Sequence, residues 1–386
     1  MPCENTYLSC ARENEAQIIE YRHALHRIPE LAYNEFETAA FIRAELARLG
    51  IPCREVGTGT IADIPGGSGP MLALRADIDA LPISEPAGCA FGSIHPGRMH
   101  ACGHDCNAAM LLGTARILWE HKDRLPGAVR LIFQPAEEGG AGARAMIDAG
   151  CLEGVRSIYC LHMGANRAVG HFATKPEYIH ASSDGYTIDI HGKSAHGASP
   201  DNGIDAMVIA AHTILALQEL ISRETSPHDS AVLTLGKISG GEVRNIICEK
   251  VTIDGTLRTL DESVRKRLIR RICEVAADTA RVFRGSAEVN FVQSYATCWN
   301  EPNEAGKIIE LTKELFGSEA LEILTHTGMG GEDFGFYQLK VPGIKLYLGT
   351  GCKESVHTPG FRIDESTLKY GTALLCGIAF ERYKSK

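Results

Sequence analysis

A chain of 386 residues is too long for one ordinary hydrophobic core, so two domains are expected. Its 44% hydrophobic and 23% charged residues are an ordinary globular composition, with no apolar run near the roughly 20 residues of a membrane span. A formal charge of −9 argues against nucleic acid or an anionic membrane as partner, since either needs a basic face.

The opening stretch MPCENTYLSCARENEAQ lacks an apolar signal core, so the expected location is cytoplasmic. Thirteen cysteines at irregular spacing do not read as a disulfide framework. Most read as small buried apolar side chains, and Cys102 is set apart by its neighbours.

In chain order, ENEAQIIEYRHALHRIPEL and NEFETAAFIRAELARLGI carry helical apolar spacing, the second stopped at Gly50. MLALRAD is a short apolar strand. CNAAMLLGTARILWEHKDRL reads as a helix stopped by Pro126-Gly127, and AVRLIFQPAEE as a strand turning acidic. AGARAMIDAG is a helix closed by Gly150, and SIYCLHM a strand ending near His162. Strands alternating with helices predict an α/β domain with a mostly parallel sheet covered by helices. From about residue 182 the pattern changes to strand, helix, two strands, helix and strand, which is the ferredoxin-like split pattern. The expected organisation is a catalytic domain from residues 1–181 and 295–386, with a smaller α+β domain of residues 182–294 inserted into it.

Metal-capable residues fall at or just past the carboxyl ends of the apolar strands: Asp77 and Asp79, Glu137 and Glu138, His162. Open α/β sheets place their sites at that edge. The stretch RMHACGHD adds Cys102 and His104 ahead of a helix, and His357 lies in VHTPGF. Taken singly, His162 reads as a hydrogen-bonded strand-end residue, Asp79 as a helix cap and His357 as a turn residue. Together, Asp77, Cys102, His104, Glu138, His162 and His357 exceed what one tetrahedral ion needs, which points to two ions. No CxxC knuckle and no G-x-S-x-G elbow occurs.

Matching stretches run nearly end to end: HRIPELAYNEFETAAFI, LRADIDALPI, MHACGHD, FQPAEEGGAGARAMI, HGKSAHGASPDNGIDA, RNIICEKVTIDGTLRTLD, GGEDFGFY and VHTPGFRIDE. On these the chain resembles the hippurate hydrolase and auxin-conjugate amidohydrolase branch of the dinuclear metal-dependent aminoacylase and carboxypeptidase family. The resemblance implies two divalent ions (Zn, Mn, Ni or Co) held by Cys102, His104, Glu138, His162 and His357, with Asp77 outside the ligand set. It implies Glu137 as general base and Asp79 orienting a ligand. It makes the inserted domain a lid and dimerisation domain. Asn245 and Arg258 would meet the substrate, and His196 would reach the active site of the other subunit of a homodimer. Arg258 alone would read as a strand salt bridge, and His196 as a loop residue. The chain departs from the family at Cys106-Asn107, at Asp201 after Pro200 and in NIIC, none of which is a proposed ligand. The implied reaction is hydrolysis of N-acyl-amino acids. A dipeptidase or carboxypeptidase, or a silent metal-binding protein, is the alternative.

Overall fold

The computed structural model describes residues 6–383. They form two compact units: one from the residues up to Ile179, residues 298–327 and the residues from Asp333 onward, the other from residues 180–297 and 328–332.

The larger unit opens with helices α1 (Thr6–Glu13), α2 (Glu15–Arg27) and α3 (Phe36–Leu49). The second stops at Arg27, earlier than its apolar pattern, because Ile28 precedes Pro29 and a residue before proline is pushed out of the helical region. The third ends where Gly50 takes a left-handed φ of 79°. Strands β1 (Cys53–Val56), β2 (Gly59–Ile64) and β3 (Gly69–Asp77) follow, then α4 (His104–Glu120) and β4 (Gly127–Gln134). The α4 helix stops at Glu120, short of Pro126, and a 3-10 turn over Lys122–Arg124 covers the gap. The stretch continues through α5 (Gly142–Asp148), β5 (Val155–Gly164), β6 (Phe172–Thr174) and β7 (Glu177–His180).

The smaller unit consists of β8 (Ser182–His191), α6 (Ala206–Ser222), β9 (Ala231–Gly240), β10 (Lys250–Thr259), α7 (Glu262–Val282) and β11 (Ser286–Tyr295). Its sheet runs β11-β8-β10-β9 and every pairing is antiparallel. Alternate residues such as Ile188, Ile190, Ile253 and Leu257 are buried in one core with Ile209 and Leu217 of α6 and Leu268 and Ile272 of α7. Both helices are capped by aspartate: Asp205 accepts from Met207 N, and Asp261 from Ser263 N and Val264 N.

The chain returns to the larger unit with β12 (Cys298–Asn300), α8 (Pro302–Phe316), β13 (Leu321–Ile323), α9 (Gly335–Gln338), β14 (Gly343–Gly349) and α10 (Leu368–Glu381). Its eight-stranded sheet runs β1-β2-β4-β3-β5-β14-β6-β13. The central β4, β3, β5 and β14 are mutually parallel, while β1 and β2 are antiparallel additions at one side. Residues of β3, β4, β5 and β14 are buried in almost unbroken runs, as expected for a sheet covered on both faces. The first half of α4 is buried on every side. It lies close against α2 at Gly113, where an added Cβ would sit 2.5 Å from Ile18 Cγ1. Register sets Asp77 beside Gln134 and His162 beside Tyr347, so these strands finish along one edge.

Candidate metal centre

Three chain segments are tied together at that edge by one residue. Asp79, two residues beyond β3, is 1% exposed. Its Oδ1 accepts the Glu137 N–H at 3.0 Å and its Oδ2 the Glu138 N–H at 2.9 Å. Its main-chain carbonyl accepts from His104 Nδ1 at 2.8 Å. A carbonyl oxygen can only accept, so His104 Nδ1 carries a proton and Nε2 is the ring atom turned to the site. The same logic holds for His162, whose Nδ1 donates to the Met163 carbonyl at 2.8 Å. Just before the acidic pair, Ala136 adopts φ 54°, and its N–H is held by Glu35 Oε1 at 2.8 Å.

Cys102 is the meeting point. Its sulfur lies 3.7 Å from His162 Nε2 and 3.3 Å from His357 Nε2. His357 Nε2 is also 3.0 Å from Glu138 Oε1, which in turn is 3.9 Å from His104 Nε2. Two triads of ligand atoms result, each within 4.8 Å of one another: Cys102, His104 and His162, and Cys102, Glu138 and His357. The sulfur belongs to both. His104 Nε2 is buried and has no hydrogen-bond partner among the described residues, a costly orphan in a wholly polar cluster that an ion would satisfy. One thiol, three imidazoles and a carboxylate form a donor set suited to borderline-soft divalent ions. The residues present therefore fit a metal centre.

Two local devices hold this geometry. Gly103, between the sulfur and His104, has φ 82°, and a Cβ there would lie 2.9 Å from Met163 Cγ. His357 itself has φ 62° and donates its N–H to the Ala101 carbonyl at 2.8 Å. A left-handed non-glycine backbone costs about 1–3 kcal/mol and persists where its surroundings enforce it, often at sites.

The charges sort themselves. Burial, and then the charges of Asp333 and Glu138, pushes the Glu137 carboxyl well above the usual range. Burial acts the same way on Glu138, but the hydrogen bond from His357 and the charge of His104 outweigh it and hold that carboxyl low. Neighbouring carboxyls with opposed shifts are the pattern of one proton carrier and one fixed charge. Burial pushes the Cys102 thiol up to about 12, against the pull of His104, so thiolate ligation requires a cation beside it. Burial and the Lys345 charge hold His162 neutral by lowering it well below its ordinary value.

Beneath the cluster lies a buried network around Asp77, most of which the sequence did not single out. Arg75 binds Asp77, donates from Nε to Gln134 Oε1 at 2.8 Å and from Nη2 to Asp333 Oδ1 at 2.8 Å. Asp333 Oδ2 accepts from Gln134 Nε2 at 2.7 Å and from Ala143 N at 3.0 Å. Asp77 Oδ1 accepts from Asn107 Nδ2 at 2.7 Å and stands 3.8 Å from His104 Nε2. The signal for Asp333 was its place in the glycine-flanked GGEDFGFY. Nothing local marked Arg75 or Gln134, and Asn107 stood out only as a departure from the family, because Gln134 and Asp333 lie 59 and 258 positions from Arg75 and Asp77 lies 30 from Asn107.

His196, Asn245 and Arg258 belong to the smaller unit. His196 is exposed and bridges Ile246, its Nδ1 accepting from Ala198 N at 3.0 Å. Exposed Asn245 accepts at its main-chain carbonyl from Gly197 N at 2.8 Å, so the two lie on adjoining loops. Arg258 lies on β10, and its Nη1 donates to the Met329 carbonyl at 2.7 Å.

Known proteins are similar to this chain over nearly its whole length. Residues 73–381 match the model of peptidase family M20/M25/M40. N-acetyl-L-cysteine deacetylase of Bacillus subtilis is 41% identical over 92% of this chain and 85% of its own length. IAA-amino acid hydrolase ILR1-like 5 of Arabidopsis thaliana is 37% identical over 97% of this chain and 88% of its own. A crystal structure from Bacillus subtilis, described as a dinuclear metal binding peptidase from the M20 family, superposes with a TM-score of 0.84 at 33% identity, covering 96% of this chain and 99% of that one. The chain belongs to peptidase family M20/M25/M40, and is a metal-dependent hydrolase acting on C–N bonds.

Proposed function

We propose that the chain hydrolyses the amide bond of N-acyl-amino acids to a carboxylic acid and a free amino acid, at a centre of two divalent ions (Zn, Mn, Ni or Co). The observation that carries this reading is the position of Cys102 Sγ in both ligand triads, beside a buried carboxyl in Glu137 whose affinity for protons is raised. Cys102, His104 and His162 would hold one ion and Cys102, Glu138 and His357 the other. When bound, such ions supply Lewis acidity, polarising a carbonyl and making water a stronger acid.

Glu137 accepts a proton from the attacking water as the C–O bond forms. It then delivers that proton to the nitrogen as the C–N bond breaks, so the amino acid leaves as an amine. Asp79 acts through others: it fixes the backbone of Glu137 and Glu138 and the tautomer of His104. Arg258 is assigned the substrate carboxylate, which a guanidinium binds through paired hydrogen bonds, and Asn245 a neighbouring polar contact. His196 is assigned the developing oxyanion in the site of a partner subunit, which makes the working form a homodimer joined through the smaller unit. The Bacillus subtilis deacetylase and the Arabidopsis thaliana hydrolase are named for N-acylated amino acids, which supports this substrate class. A cytoplasmic setting is supported by cysteines that are unpaired throughout the described residues.

The test is a panel of N-acyl-amino acids, their carboxamide-capped forms and dipeptides, assayed with and without added Mn²⁺ or Zn²⁺. Metal-dependent release of amino acid from the acyl substrates, and poor turnover of the capped forms, is expected. Turnover confined to dipeptides would assign a peptidase instead, and no turnover with fully loaded metal a silent binding protein.

A further inference from the structure

A second group of metal-capable side chains lies beside α2, apart from the Cys102 cluster. His26 on that helix, Glu85 and Cys89 each present a ligand atom, and the three atoms lie within 4.8 Å of one another. All three line a cavity of about 200 Å³ that Phe361 and Arg362 also border. We propose that His26, Glu85 and Cys89 form a further divalent-cation site of the zinc type, separate from the Cys102 centre.

The orientation of the groups carries this assignment. Asp105 Oδ2 accepts from His26 Nδ1 at 2.7 Å and from Arg22 Nε at 2.9 Å. The His26 ring is thus anchored through Nδ1, and its Nε2 points at Glu85 Oε1, 3.0 Å away. A carboxylate behind an imidazole, with the opposite nitrogen turned toward other ligands, is the usual support of a metal-binding histidine. Glu85 is held as well, since its other oxygen accepts the Ser93 N–H at 2.7 Å. Two of the three ligands are therefore oriented by bonds outside the cluster. Imidazole, carboxylate and thiolate together favour zinc over the all-oxygen cations, and the cavity leaves room for water in a fourth position. Residues 82–98 contain no helix or strand, so an ion joining Glu85 and Cys89 to α2 would pin this segment, which leads into Met99–His104.

The competing arrangement is a protonated His26 held between two carboxylates. That arrangement uses His26 and Glu85 but has no role for Cys89 and takes up no cation, so the two separate at the cysteine. The full chain, saturated with zinc and freed of loose metal by desalting, should hold one more ion than the Cys89→Ser or Glu85→Gln variant. Circular dichroism establishes that each variant is folded. Cobalt gives an independent readout, because thiolate ligation produces an intense near-ultraviolet band. That band should persist when Cys102→Ala removes the other sulfur, and vanish when Cys89→Ser is added. Equal zinc content in wild type and both folded variants, or no cobalt–thiolate band in the Cys102→Ala protein, overturns the proposal.

Discussion

Replacing Asp79 by asparagine changes one atom at the point where three segments are tied together. The side chain is 1% exposed, and its two oxygens receive the adjacent N–H groups of Glu137 and Glu138 at 3.0 and 2.9 Å. An amide offers one acceptor and one donor, so in either flip an NH₂ faces an N–H. One charge-assisted hydrogen bond is lost, about 1.5–3 kcal/mol, and a buried donor is left unsatisfied at about 1–3 kcal/mol. Allowing for relaxation, about 2–4 kcal/mol should disappear, equivalent to roughly 30- to 700-fold in an equilibrium constant. The loss should divide between folding and metal affinity, because the displaced backbone carries Glu138. Thermal unfolding of chelator-treated protein reads the first part, and competition with a chelator of known affinity reads the second. Turnover should fall further, since Glu137 moves with the same backbone. An Asp79→Asn protein with wild-type Tm, metal affinity and turnover would refute this account of Asp79.

Glu137→Gln should retain its metal while losing turnover by on the order of 10²-fold or more, whereas Glu138→Gln should lose metal; the reverse pattern means the pair has been assigned the wrong way round. Gly103→Ala forces an L side chain into φ 82° against Met163, so stability should drop by about 1–3 kcal/mol and metal binding should weaken, checked by denaturant unfolding and metal content. Arg382 and the Tyr159 hydroxyl bind Glu304, and together they outweigh burial and hold its carboxyl below its ordinary 4.5. A lowered folded-state value stabilises above the unfolded value and is lost as pH falls through the folded one, so the Tm gap between wild type and Glu304→Gln should be full near pH 6 and shrink below about 4.5. His196→Ala and Glu137→Ala proteins, each inactive, should regain about a quarter of wild-type activity when refolded together, because half the dimers carry one intact site; proven heterodimers without activity would remove His196 from the partner's site.

The architecture was legible where chemistry is local. Gly50 and Gly150 marked helix ends, and continuous apolar runs marked β3, β4 and β5 as strands buried on both faces. The strand–helix–strand–strand–helix–strand order of the smaller unit followed from a change of period. Placement at strand ends also singled out Asp79, Glu137, Glu138 and His162. The hairpin of β1 and β2, the three-residue strands and the eight-residue α1 were missed, because each is too short for periodicity to register. Arg75 and Gln134 were invisible for another reason: Arg75 is tied to Gln134 and Asp333 across 59 and 258 positions of chain, and nothing in the flanking residues encodes the pairing. Gly328–Glu332 joining the smaller unit is equally a matter of distant contacts.

The split of the larger unit around an insertion has a consequence for how the chain matures on the ribosome. β14, which pairs with β5 at the middle of the sheet, and His357 are both translated after the inserted residues. Until then β5 has no neighbour on one side, and a long hydrophobic strand with an open edge invites wrong pairings. The inserted unit is almost continuous in sequence and can collapse as soon as it emerges, while the earlier 179 residues wait for their partners. Slowing translation across residues 180–297 should therefore lengthen the vulnerable interval and raise aggregation, even though no residue of the finished protein is altered.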